Sequence, residues 1–160
     1  MTEMRDEQIV FVDDEPRVCE AVRKTLERAG LQTHCFQTAK DCLAHLASER
    51  CDLLITDIKM PETDGVELLA KVRRLLPWVP ILVITGYGDV PTAVLALKAG
   101  AADFIEKPLD REAFLVRVRS VLEQNAAHTA LMERSLTKIQ VRVLQLLLEG
   151  KNNREIATIL

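Results

Sequence analysis

The chain has 160 residues, 48% of them hydrophobic and 28% charged, which supports one substantial core with room for a second small element and excludes two large domains. Its 24 acidic and 21 basic residues give a formal charge of -3 and are spread along the whole length, so no tail or basic block is built to grip nucleic acid by charge alone. Cys19, Cys35, Cys42 and Cys51 lack the paired spacing of a zinc site, and the acidic first eight residues lead into no apolar signal core, so the expectation is a soluble cytoplasmic protein with reduced thiols and no membrane contact.

Taken in order, the chain alternates short apolar runs with segments of helical period. The run Ile9-Val10-Phe11-Val12 predicts a first strand and ends at Asp13-Asp14. Val18, Val22, Leu26 and Ala29 then recur at helical spacing, with Pro16 suited to a first turn and Gly30 to the cap at the other end. Residues 31–36 form the weakest strand candidate, because His34 and Cys35 dilute the pattern. A second helix follows on Ala39, Cys42, Leu43 and Leu46, and a second clear strand, Leu53-Leu54-Ile55-Thr56, ends at Asp57 before Lys59-Met60-Pro61 and Gly65. Val66, Leu69, Val72 and Leu76 mark the third helix, Ile81 to Ile84 the next strand with Thr85 at its end, and Val90, Val94 and Leu97 a fourth helix closed by Gly100. Phe104-Ile105-Glu106 leads to Lys107, and Phe114, Val118, Val121 and Leu122 complete a fifth helix. Because the strand runs do not alternate with polar residues, they read as parallel strands covered on both faces. Five strand-helix units up to about Glu123 predict an α/β fold, a doubly wound five-stranded parallel sheet between two helical layers.

In such a sheet the carboxyl ends of the strands share one edge, where ligands bind. Four strands each deliver polar groups there: Asp13 and Asp14, Asp57, Thr85, and Lys107. Gathered carboxylates repel one another, and a cation relieves the repulsion. Ligation by oxygen alone suits Mg²⁺ better than zinc or copper. Beside such a cation, Lys107 and Thr85 have the chemistry to hold phosphoryl oxygens, leaving Asp57 as a nucleophile that forms a transient acyl phosphate. Taken singly, paired acids are an ordinary turn or cap, Thr85-Gly86 and Lys107-Pro108 are ordinary loops, and Phe104 is plain core; the conjunction in order is what carries the reading. His34, His45 and His128 have no spacing that suggests a ligand set, and are expected at or near the surface.

These residues, Asp13-Asp14, Asp57 with Lys59-Met60-Pro61 and Gly65, Thr85-Gly86, and Phe104-Ile105-Glu106-Lys107-Pro108, resemble the receiver domain of two-component response regulators over about residues 5–123. The stretch from Ile84 to Pro108 resembles the subgroup with nitrogen-fixation and aromatic-degradation regulators. The resemblance implies a flavodoxin-like strand order of 2-1-3-4-5. It implies that Asp57 accepts a phosphoryl group from a sensor histidine kinase, while Asp14, the Asp57 carboxylate and the Lys59 carbonyl hold Mg²⁺ and Asp13 acts through water. Thr85 and Lys107 would contact the phosphoryl oxygens, and Phe104 would turn inward as Thr85 moves, a shift between two packings. Lys59 and Tyr87 would flank the acyl phosphate and obstruct water, giving slow self-dephosphorylation. Such a chain is no enzyme beyond catalysing its own phosphorylation and dephosphorylation. A dehalogenase-like hydrolase would need an acid where Lys59 stands, and a dinucleotide or P-loop binder a glycine-rich loop where Asp13-Asp14-Glu15-Pro16 stands.

Residues 124–135 keep helix formers without Pro or Gly and are expected to extend the fifth helix as a linker. Residues 136–160 resemble the opening of a LuxR-type helix-turn-helix domain, with Thr137 capping a scaffold helix, Gly150 ending it, and Asn153 to Leu160 forming the first helix of the DNA-binding pair. Gln140 and Ile139 depart from the usual acidic and basic residues of that family. A simple amphipathic hairpin is the competing reading. The recognition helix that would enter the major groove is absent, so promoter DNA is an expected partner of a full-length parent only. The resemblance also implies a homodimer on phosphorylation, formed through the fourth helix, fifth strand and fifth helix. Leu95, off the expected core stripe of Val90, Val94 and Leu97, is the exposed candidate there. A receiver acting as a phosphorylation-dependent interaction module without DNA output is the alternative.

Overall fold

The computed structural model describes residues 6–60, 65–86, 89–135 and 138–150. Strands and helices alternate from the start: β1 (Gln8–Val12), α1 (Pro16–Arg28), β2 (Gln32–Phe36), α2 (Ala39–Leu46), β3 (Leu53–Asp57), α3 (Gly65–Leu75), β4 (Ile81–Thr85), α4 (Val90–Lys98), β5 (Asp103–Glu106) and α5 (Arg111–Ser135), followed by α6 (Lys138–Leu148). The strands form one parallel sheet in the order β2-β1-β3-β4-β5. Ile9 lies beside Thr33 and Leu53, Leu54 beside Ile81, and Leu82 beside Asp103. The doubly wound sheet expected from the sequence is therefore present, in the expected order.

Uninterrupted apolar strands are explained by what covers them. Val10, Val12, Leu54, Ile81 and Val83 face a core completed by Ala39, Cys42 and Leu46 of α2 and Leu68, Leu69 and Val72 of α3. Alternate residues, Ile9, Phe11, Leu53, Ile55, Leu82 and Ile84, face a second core completed by α1 and α5. All residues of β3 and β4 are buried, so polar residues gather at their carboxyl ends, where buried Thr56 donates its hydroxyl to the Asp57 carbonyl and Asp57 and Thr85 close the strands. Edge strand β2 tolerates His34 and Cys35 because its outer positions are exposed or only partly covered.

Helices α1 and α4 stop in the same way. Gly30, at φ 84, donates to the Glu27 carbonyl while Leu31 N–H donates to that of Leu26; Gly100, at φ 107, and Ala101 repeat the pattern on Leu97 and Ala96. This paired closure needs a left-handed residue, which glycine adopts without a Cβ penalty.

Three stripes differ from expectation. In α4 the buried residues are Ala93 and Ala96, whereas Val90, Val94 and Leu97 are 51%, 41% and 39% exposed, alongside Leu95 at 58%. A short helix that is apolar nearly all round has no unique face in its sequence, and here the two alanines take the side against the sheet. In α3, Leu68 joins Leu69 and Val72 inside, and Leu76 lies past the helix end. In α1, Cys19 is buried with Val22 and Leu26. The four cysteines are free, and burial pushes the Cys42 and Cys51 thiols up to about 12, so they pack as protonated apolar groups.

Contacts divide the chain into residues 1–122 and 123–160. In the second unit α5 runs on to Ser135, and α6 buries Leu146 and is followed by Gly150 at φ 82, whose N–H donates to the Leu147 carbonyl. Thr137 and residues 153–160, with their expected cap and helix, lie outside the described residues. Among the described residues no helix is long and apolar enough to cross a membrane.

Candidate functional site

Each polar group at the sheet edge is placed by the strand it ends. The Asp13 N–H donates to the Phe36 carbonyl, which extends the β1 ladder by one residue, and Oδ1 of Asp13 then accepts from the Glu15 N–H at 2.9 Å. That turn carries the chain past half-buried Asp14 into α1, where Pro16 occupies the first turn and needs no N–H partner. Asp13 itself is fully buried.

Asp57 is the last residue of β3 and is 5% exposed. Its surroundings are fixed by main chain: Ile58 N–H donates to the Ile84 carbonyl at 3.0 Å, and Lys59 N–H donates to Asp57 Oδ1 at 3.1 Å. Gly65 N–H returns to the Ile58 carbonyl at 2.8 Å. The approach is so close that a Cβ on Gly65 would lie 2.5 Å from Ile58 Cα and 2.7 Å from the Asp57 carbonyl oxygen. Glycine is therefore a steric requirement at that position.

Thr85 ends β4 and is 1% exposed, and its carbonyl accepts from Lys107 N–H at 2.8 Å, so the ends of β4 and β5 are tied together. From there the Lys107 ammonium reaches Asp57 Oδ2 at 2.8 Å and comes within 3.7 Å of Asp13 Oδ2, an ion-pair distance too long for a hydrogen bond. Asp13 Oδ2 and Thr85 Oγ1 are buried with no hydrogen-bond partner among the described residues. Buried polar atoms are nearly always paired, so two orphans at one sheet edge mark a place for something else to bind.

The electrostatics point the same way. Burial raises the Asp13 pKa above the carboxylate norm, with the Glu15 N–H and Lys107 opposing and the charges of Asp57 and Asp14 adding to the rise. For Lys107, burial pulls the ammonium pKa down, but the hydrogen bond and charge of Asp57, then Asp13, outweigh it and the net direction is up. Asp57 and Asp13 share the Lys107 ammonium, and Asp14 adds a third carboxylate beside them. Each of Asp13, Asp14 and Asp57 offers an oxygen within 4.8 Å of the other two. An all-oxygen, net anionic donor set with an unsatisfied buried oxygen suits a hard divalent cation.

The structure thus brings Asp13, Asp14, Asp57, Thr85 and Lys107 together. The Lys59 main chain belongs to the site, but its side chain turns away, 73% exposed, to pair with Asp89 Oδ2 at 3.2 Å. Phe104 lies half-buried in β5 beside Val83 of β4, packed on the α2/α3 core. Tyr87 lies outside the described residues. Sequence reasoning missed Asp89: its only local signal is its place before Val90-Pro91 at a helix start. A groove of about 630 Å³ adjoins the site between α1 and the start of α5, with Val18, Ala21, Leu109 and Phe114 along it and Lys107 at one end.

A 2-1-3-4-5 parallel sheet carrying an acidic cluster at the ends of its first and third strands, with a lysine from the fifth reaching into it, defines a doubly wound switch-point domain of the flavodoxin-like class. The chain belongs to the response regulator receiver domain family, whose profile matches residues 9–119. It is 35% identical to the response regulator protein TmoT of Ectopseudomonas mendocina over 96% of this chain and 75% of that protein. It is also 35% identical to the transcriptional regulatory protein FixJ of Rhizobium meliloti over 96% of this chain and 80% of that protein. Among solved structures, a CheY-like receiver domain protein from Methanospirillum hungatei superposes with a TM-score of 0.74 at 30% identity, covering 78% of this chain and 99% of that one. Full-length FixJ from B. japonicum superposes at 0.72 with 32% identity, covering 95% of this chain and 79% of that one.

Proposed function

We propose that the chain is a two-component response regulator in which Asp57 accepts a phosphoryl group from a sensor histidine kinase. The observation that carries this is the convergence of Asp57, Lys107, Asp13 and Asp14 beside two orphaned buried oxygens. An Asp57 carboxylate oxygen attacks phosphorus and forms the new P–O bond; the P–N bond of the phosphohistidine breaks and its electron pair returns to the imidazole nitrogen. Lys107 balances charge on the transferring oxygens, and the free hydroxyl of Thr85 donates to one of them. Asp13, Asp14, Asp57 and the Lys59 carbonyl would hold Mg²⁺, which when bound neutralises charge on the phosphoryl group.

Engaging Thr85 draws the end of β4 toward Asp57, and half-buried Phe104 fills the space behind it, biasing one of two packings. Exposed Val90, Val94, Leu95 and Leu97 give α4 an apolar outer surface, which supports homodimerisation through α4, β5 and α5 on phosphorylation. Self-dephosphorylation is slow, with Lys59 obstructing attacking water once its side chain has left Asp89; substituting Tyr87 with a small residue is expected to accelerate decay. The chain catalyses only its own phosphorylation and dephosphorylation, and works in the cytoplasm. The match to a transcriptional regulatory protein over 96% of the chain supports a transcriptional output, with residues 136–160 as the opening of a LuxR-type DNA-binding domain.

Incubation with a small phosphodonor and Mg²⁺ tests the central step. Wild type is expected to label at Asp57 and Asp57→Asn to remain unlabelled; equal labelling of both refutes the proposal.

A further inference from the structure

Among the described residues, the loops that follow β3 and β4 are joined by a side-chain ion pair, Lys59 Nζ on Asp89 Oδ2 at 3.2 Å. Its two ends are held very differently. The Lys59 main chain is pinned to the site through its N–H on Asp57 Oδ1, while the rest of the side chain is 73% exposed and free to swing. Asp89 is 20% exposed and belongs to the start of α4: its carbonyl accepts from Ala93 N–H at 3.2 Å, its N–H donates to the Gly86 carbonyl at 3.1 Å, and its Oδ1 accepts from Thr92 Oγ1 at 2.6 Å. No α4 amide donates a full capping hydrogen bond to the Asp89 carboxylate; the Thr92 hydroxyl and then Lys59 are what chiefly lower its pKa, with the nearby Thr92 N–H a smaller influence.

Resting on the reading of Asp57 as phosphoacceptor, we propose that Lys59 is a two-position latch: its ammonium holds Asp89 while Asp57 is a free carboxylate, and transfers to the phosphoryl oxygens once Asp57 is modified, releasing the N-terminus of α4. The driving force is local charge. Phosphoryl transfer replaces a singly charged carboxylate by a group with nearly two negative charges, at a point already surrounded by Asp13 and Asp14 and served by one other lysine. An exposed ion pair such as Lys59–Asp89 contributes little and is easily exchanged for a stronger, closer anion. Once Lys59 leaves, the Asp89 carboxylate keeps the Thr92 hydroxyl and the influence of the Thr92 N–H, and the first turn of α4 loses the ion pair that ties it to Lys59. The apolar residues on the outside of α4 belong to that same helix, so the latch couples chemistry at Asp57 to the surface that α4 presents.

The test is amide hydrogen exchange at Ala93 and Val94 in the full chain, measured unmodified and after treatment with a small phosphodonor, with mass spectrometry reporting the phosphoryl group on Asp57. In unmodified protein, Asp89→Asn and Lys59→Met are each expected to speed exchange there by about threefold, the size an exposed pair allows. Phosphorylation of wild type is expected to give the same rise, and phosphorylation of Asp89→Asn to add almost nothing further, because the pair is already broken. Full modification with unchanged exchange in wild type, or a rise that adds in full to that of Asp89→Asn, overturns the latch alone. Absence of the phosphoryl group from Asp57 overturns the phosphoacceptor reading and the latch with it.

Discussion

The Lys107 ammonium donates to Asp57 Oδ2 at 2.8 Å although the two residues lie 50 positions apart and their strands are separated in the sheet by β4. Lys107 is the one cation in direct contact with the cluster among the described residues. Replacing it with Met leaves three carboxylates without that cation and removes a donor aimed at the phosphoryl oxygens. Labelling of Asp57 under single-turnover conditions is expected to slow by about a hundredfold, the scale of losing one preorganised donor. An unchanged rate contradicts the role assigned to Lys107.

Asp13 is buried with its pKa raised by burial, so its ionised form is held against a penalty. A raised folded-state pKa means that the group's stability contribution is complete below the unfolded value and declines as pH rises through the folded value. Without a divalent cation at neutral pH, Asp13→Asn is expected to melt at a higher temperature than wild type, and added Mg²⁺ to stabilise wild type much more than the variant. Thermal denaturation with and without Mg²⁺ measures both effects.

Gly65 supplies a packing test independent of phosphorylation. A methyl at that position meets main-chain atoms of Asp57 and Ile58, which cannot yield as a side chain would. Gly65→Ala is expected to lose about 1–3 kcal/mol in denaturant unfolding, the range for overpacking, and to label more slowly because Asp57 moves with its carbonyl. A variant as stable as wild type would show that the loop can open at no cost.

At the far edge of the sheet, the rings of His34 and His45 lie with centroids 4.9 Å apart, and His45 Nε2 is buried without a partner among the described residues. Burial, then the charge of His34, lowers the His45 pKa, with Glu49 opposing. A depressed folded-state value means that stability from this group is present above the unfolded pKa of about 6.5 and is lost as pH falls through the folded value. Between pH 7 and pH 5, the denaturant midpoint of wild type is expected to drop further than that of His45→Gln. Parallel slopes would remove His45 from the explanation.

Leu95 is 58% exposed on α4. If α4 pairs on phosphorylation, sedimentation shows a mass increase for phosphorylated wild type and none for phosphorylated Leu95→Asp. The same mass for wild type in both states refutes the dimer.

Much of this molecule is written in local pattern. Runs such as Ile81 to Ile84 specify buried strands by composition, Gly30 and Gly100 stop helices at a left-handed backbone that glycine adopts without a Cβ penalty, and Asp13, Asp57, Thr85 and Lys107 are each recognisable as the polar residue that ends a strand. Once parallel strands are inferred, their common edge follows, so the acidic site is legible before any distance is known. What local pattern leaves undetermined is orientation between elements distant in sequence. Val90, Val94 and Leu97 have helical spacing and still point largely outward, because the side of α4 that meets the sheet is chosen by how closely the helix packs, and Ala93 and Ala96 allow that approach. The partners Lys59 and Asp89, His34 and His45, and the steric need for Gly65 beside Ile58 likewise arise only when loops from different strands are set against one another. Strand and helix identity depends on neighbours a few residues away, which the chain itself carries; contacts between side chains depend on angles and distances between whole elements, which only the folded sheet decides.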